Sequence, residues 1–147
     1  MGNRRHARES ALSYLYQLDL EVPTLTNTPE KFAQHFKVMD AFRGYFFQIV
    51  RGVAAKHDEI DKEIIEAAEH WKLYRIGKID KAILRMAIYE LMDCPETSHN
   101  IIIDEAVELA KIFGVQESSA FVNGILDKIA KKYRKDASVP TPSVDLG

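Results

Sequence analysis

From residue 4 to residue 134 the apolar side chains recur every three or four positions, and no strand-length stretch alternates between turn residues. A chain with that single period can bury apolar surface only by packing helix on helix, so the sequence predicts an all-α fold of about seven helices without a sheet. With 147 residues, 46% of them hydrophobic, there is enough apolar surface for one core and one domain over 1–135. Residues 136–147 hold two prolines among small polar residues and have little to bury, so a disordered tail is expected there.

The first helix is predicted over about 4–20, with Ala7, Ala11, Tyr14, Leu15 and Leu18 inward and a stop before Val22-Pro23. Thr28-Pro29 reads as an N-cap with proline at the first helical position, opening a short helix that buries Phe32 and Phe36. Asp40 is expected to cap a third helix carrying Phe42, Tyr45, Phe46, Ile49, Val50 and Val53, with Gly44 and Gly52 as points of close helix contact. Asp58 is expected to cap a fourth, with Ile60, Ile64, Ile65 and Ala68 inward, followed by a connector anchored by Trp71 and Tyr74. Residues 79–92 are apolar on most faces, which marks a central helix stopped by Cys94-Pro95. Ser98 or Asn100 caps a sixth helix that ends at a left-handed Gly114, and a seventh over about 117–134 turns Val122, Leu126, Ile129 and Tyr133 inward.

The formal charge of −2 means that any affinity for nucleic acid must come from local concentrations of Lys and Arg. Cys94 is the single cysteine, and neither a secretory-type leader nor a membrane-length apolar run is visible, which together predict a cytoplasmic protein. No Gly-rich phosphate loop, G-x-S-x-G elbow or H-E-x-x-H helix is present. His6, His35, His57, His70 and His99 lack paired ligand spacing, and Asp104, Glu105 and Glu108 read as a solvated helix face. The expectation is a binding protein without catalytic residues, cofactor or metal.

Two basic-aromatic clusters suggest what is bound. Arg4, Arg5 and Arg8 converge at the start of the first helix, where guanidinium groups suit phosphates and base faces. At about 100° per residue, Tyr16 falls on the same ridge as Arg5 and Leu12, beside the arginines. On the seventh helix Phe121 sits off the apolar stripe, toward Lys128, Lys132 and Lys135. Aromatic faces that take unstacked bases, beside cations that follow the backbone, are how single-stranded RNA is commonly held. The plainer alternatives are a solubilising basic turn and an aromatic ring that covers the core rim. Leu109 to Val115 followed by a helix also resembles a DNA-binding helix-turn-helix, although Glu117, Ser118, Ser119, Ala120 and Phe121 are a poor start for a recognition helix.

Three segments carry a family resemblance: Arg4-Arg5-His6-Ala7-Arg8-Glu9 with Tyr14-Leu15-Tyr16, Lys81 through Leu91, and Asp104 through Phe113-Gly114 to Phe121-Val122-Asn123-Gly124-Ile125-Leu126-Asp127. Over residues 3–135 the chain resembles the NusB family of bacterial transcription antitermination factors. The resemblance implies two packed helical subdomains, three helices in about 4–56 and four in about 57–135. It implies an adaptor that pairs with the ribosomal protein NusE, binds single-stranded boxA RNA and joins the RNA polymerase elongation complex with other Nus factors. Carried over position by position, it implies RNA contact by Arg4, Arg5, Arg8, Tyr16 and Phe121, with Lys111, Phe113 and Glu117 bordering the same surface. Lys128 joins that set from its placement beside Phe121. For NusE it points to Lys78, Asp80, Lys81 and exposed neighbours on the central helix. Pairing of two copies through an apolar flank is a further expectation. His6 and Ala120 stand where basic residues are common in the family, implying weaker and more pH-sensitive RNA affinity.

Overall fold

The computed structural model describes residues 2–20, 27–69 and 72–135. Among these residues lie seven α-helices and no strand: α1 (Gly2–Asp19), α2 (Pro29–His35), α3 (Asp40–Ala55), α4 (His57–Ala68), α5 (Lys78–Asp93), α6 (His99–Phe113) and α7 (Ser118–Tyr133). One 3-10 turn, Leu73–Arg75, joins α4 to α5. Trp71, Val22-Pro23 and the tail fall outside the described residues.

The central helix is α5, where every residue from Lys81 to Leu91 is buried. It contacts α1, α3, α4, α6 and α7, while α2 lies on α3. The run of apolar residues on most faces of α5 has its physical reason in this envelope of neighbours. Helix α1 runs antiparallel to α5, since Arg8 meets Glu90 near the end of α5 and Asp19 meets Lys78 and Lys81 at its start. Helix α7 ends where α5 ends. There Arg134 donates to the carbonyls of Leu91, Thr97, Glu90 and Cys94 at 2.8–3.0 Å, closing the carbonyl-rich end of α5.

Under α1 and α3 the core is aromatic: Phe46 is fully buried, with Phe32 and Tyr14 at ring distances of 5.6 and 6.1 Å. Gly52 lets α3 approach α5, because a Cβ at that position would lie 2.1 Å from Cε1 of Tyr89. Thr28 caps α2 by accepting from the backbone N–H of Lys31, and Ser98 caps α6 by accepting from that of Ile101.

Several expectations are corrected. Met39 and Lys56, not Asp40 and Asp58, occupy the N-cap positions of α3 and α4, and both acids lie inside the first turn, where they suit the helix dipole. Gly44 has open space where a side chain would be. Gly114 is extended (φ −91°, ψ −167°), and a glycine is needed there because a Cβ would lie 2.4 Å from Oγ of Ser118, which accepts from the backbone N–H of Val115. Leu18, Phe36, Ile65, Tyr74 and Tyr133 are exposed. Leu18 and Phe36 lie at helix ends beyond the packed turns, and Ile65 sits beside the stripe formed by Ile60, Ile64 and Ala68. Tyr133 keeps its ring outside because its hydroxyl donates to Glu63 at 2.5 Å.

Candidate nucleic-acid interface

The first turn of α1 carries no acid, so its free N–H groups and the arginines add to one positive end. Arg4 is exposed, donates to Oγ1 of Thr97 at 2.9 Å and lies 4.5 Å over the ring of Tyr45. Arg5 is exposed and pairs through Nε and Nη2 with both oxygens of Glu105 on α6, at 3.1 and 2.7 Å. His6 stacks on Phe42 at 5.5 Å.

Arg8 is a correction, because it is sealed inside. Its Nε and Nη2 lie 3.0 and 2.8 Å from the Glu90 carboxylate, with side chains 6% and 2% exposed, so it serves as an internal tie. The Tyr45 hydroxyl donates to the same carboxylate, and burial together with that negative charge pushes its pKa far up. A charge at this depth persists only when paired and hydrogen-bonded. Arg4, Arg5 and Arg8 line a hollow of about 500 Å³ between α1 and α6, with Glu96, Thr97, Ile101, Asp104 and Glu105 on the other wall. The arginines therefore meet in one place, but the opposite wall is partly acidic.

The second cluster lies toward the other end of α7. Phe121 is half-buried against the core and lines a separate hollow of about 390 Å³ with Arg75, Gly77, Asp80, Val115, Glu117 and Ser118. Phe121 precedes Arg134, which grips Thr97, by thirteen helical or near-helical positions, a distance of roughly 20 Å. Helix α6 runs from the first cluster to the second, ending in exposed Lys111, Ile112 and Phe113, with Lys111 3.6 Å from Glu108. Tyr16 is half-buried on α1, and Glu117 is exposed before α7.

Lys128 is exposed and paired across to the end of α4. It donates to the Ala67 carbonyl and the Glu69 carboxylate at 3.1 and 3.3 Å, which places it against α4. Lys132 likewise pairs with Glu63 at 2.8 Å. Both ammonium groups lean toward α4 while their side chains stay about half exposed.

On the partner side, Lys78 is exposed and donates to the Asp19 backbone and carboxylate, while Asp80 is half-buried beside Phe121 in the smaller hollow. Lys81 is corrected: it is buried and lies 3.4 Å from Asp19. The exposed neighbours expected on the central helix do not exist between residues 81 and 91, because other helices surround that stretch. Arg85 bridges Asp61 at 2.8 Å and Asp19 at 3.6 Å, so Asp19 ties α1 to α5. Among the described residues no group of three or more His, Cys, Asp or Glu gathers as a metal site, and no helix is long and apolar enough to cross a membrane.

The residues missed in the sequence are Tyr45, Thr97, Glu90 and Glu105. A signal for Glu90 was present, since an acid inside an apolar central helix must find a cation. No sequence period could pair Arg5 with Glu105, one hundred positions away.

The model of the NusB family matches residues 5–131. A transcription antitermination protein NusB of Myxococcus xanthus is 41% identical over 139 residues, covering 92% of this chain and 99% of the relative. That of Desulfatibacillum aliphaticivorans is 39% identical over 129 residues, covering 88% and 90%. Among solved structures, T. maritima NusB superposes with a TM-score of 0.80 at 29% identity, covering 92% of this chain and 96% of that one. A chain from a crystal structure of antitermination factors NusB and NusE in complex with dsRNA superposes with a TM-score of 0.78 at 25% identity, covering 90% and 99%.

Proposed function

The chain belongs to the NusB family, and from that premise we propose that it is a transcription antitermination factor, a non-catalytic cytoplasmic adaptor that pairs with NusE on boxA RNA. With other Nus factors it joins the elongating RNA polymerase and promotes ribosomal RNA transcription. The observation that carries this reading is the match over 90% of the chain to a protein crystallised with NusE and RNA.

The physical work is recognition. Arg4 and Arg5, at the positive end of α1, take phosphates. Tyr16 and Phe121 offer rings to unstacked bases, Lys111 and Phe113 border the path, and Glu117 accepts hydrogen bonds from base edges. The roughly 20 Å between the ends is within reach of one strand several nucleotides long. Lys78 and Asp80 face NusE, and Arg8 and Lys81 contribute by holding α1 in place.

Titration of a single-stranded boxA RNA, with and without NusE and over a range of salt, tests the reading. Affinity is expected to rise with NusE, and its logarithm to fall linearly with the logarithm of salt, as phosphate contacts require. NusE binding with absent or salt-independent RNA binding would leave a protein-only scaffold, and effective competition by duplex DNA would favour the helix-turn-helix alternative.

A further inference from the structure

In the free protein the Arg5 fork is already occupied. Both Glu105 oxygens accept from it, at 3.1 and 2.7 Å, in the two-pronged geometry that a phosphate would use. The Arg5 side chain is 56% exposed and that of Glu105 19%, so the contact is open from the arginine side. The neighbouring Arg8–Glu90 pair is closed to solvent and already committed.

We propose that Glu105 is a displaceable latch on Arg5: it holds the guanidinium fork in the free protein, and an RNA phosphate binds by taking its place. The inference rests on the antitermination reading and deepens it.

The surroundings of the pair support exchange. Glu105 has a second cation, with Oε1 3.7 Å from Nη1 of Arg8, so its release from Arg5 does not strand a charge. Arg8 cannot follow the RNA, because Glu90 and the wall of α5 hold it, and so that fallback stays in position. Arg4, by contrast, is placed by a hydroxyl and an aromatic ring, and gives the strand a first anchor that no carboxylate contests in those contacts. The hydrogen bond from Arg5 also holds the Glu105 carboxyl below its usual range, which keeps the latch charged near neutrality.

The consequence is selectivity. A free anion must displace a carboxylate that is tethered beside the fork, and it does so poorly. A strand already anchored at Arg4 presents its next phosphate at high local concentration and displaces the latch readily.

The test measures binding of a single-stranded boxA RNA to the full chain with NusE, for the natural protein, Glu105→Gln, Arg5→Ala and the double variant. Glu105→Gln is expected to bind about two- to fivefold tighter at low salt, the range of a partly exposed ion pair. Its logarithmic salt slope should stay close to that of the natural protein, because the same Arg5–phosphate contact forms in both complexes, and should fall by about 0.7 in Arg5→Ala. The gain in affinity should vanish in the Arg5→Ala background. Glu105→Asp, whose shorter side chain loosens the fork, should give a smaller gain and serves if the Gln variant misfolds. Natural protein that binds RNA while both Glu105 variants bind no better would overturn the latch alone. A gain that survives Arg5→Ala would assign the effect to overall charge and overturn it as well. Natural protein that fails to bind RNA would overturn the antitermination reading itself.

Discussion

Arg8 and Glu90 form a two-pronged ion pair between α1 and α5 that is almost closed to water, with Nη2 2.8 Å from Oε2. The Tyr45 hydroxyl also donates to the Glu90 carboxylate. The orientation of α1, and with it the position of the exposed Arg4 and Arg5, depends on that junction.

Removing one partner should therefore do more harm than removing both. Arg8→Ala or Glu90→Ala is expected to destabilise the fold by about 3–5 kcal/mol, since each leaves an uncompensated buried charge. Arg8→Met combined with Glu90→Leu should lose markedly less. Urea unfolding of the three variants checks the order.

Acid should loosen the same helix contacts. Asp19 and Glu63 are partly buried, which by itself raises a carboxyl, but Lys81 and Lys78 around Asp19, and Lys132 and Tyr133 around Glu63, outweigh burial and hold both below their usual range. Hydrogen bonding from Arg5 lowers Glu105 too. The unfolded chain takes up these protons first, near the ordinary values of about 4. Stability from these groups is thus fully present above about pH 5 and is lost as pH falls through the lowered values. Urea midpoints measured from pH 7 to pH 3 should fall below pH 5, and less steeply in Asp19→Asn.

Phe121 separates stacking from packing. Because its ring is half-buried against the core, Phe121→Ala is expected to cost some stability as well as RNA affinity. Phe121→Leu keeps apolar volume but removes the aromatic face. It should retain nearly the natural unfolding temperature while RNA affinity falls by about 1–3 kcal/mol, the value of one stacked base. Unchanged affinity in the Leu variant would assign Phe121 to the core rim.

Two glycines of α3 should respond with opposite signs. Gly52→Ala drives a Cβ to within 2.1 Å of the Tyr89 ring and is expected to destabilise by about 1–3 kcal/mol. Gly44→Ala meets open space and should stabilise by up to about 1 kcal/mol through helix propensity. Thermal unfolding of the two variants is sufficient.

The helices are readable in the sequence because one apolar period runs through them, and α5 announces its central place because Ile79 to Met92 are apolar on most faces. The fate of individual charged residues was less readable. Arg8 follows Ala7 and precedes Leu12 by four positions and Leu15 by seven, which puts it on the buried stripe of α1, yet its position among exposed arginines suggested RNA. Lys81 belongs to the same class, a cation drawn inward by an acid distant in sequence, here Asp19. Phe121 lies at the edge of its stripe, as the helical spacing predicts, whereas the direction of Lys128 depends on where α4 packs, which no pattern within α7 reveals.

The burial of α5 also sets a clock. From Lys81 to Leu91 the helix has no side open to solvent, so its amide protons can reach deuterium only when the surrounding helices come apart, and they should be the last in the molecule to exchange, at the rate of global opening. The outer end of α2, a helix of seven residues, should exchange long before them.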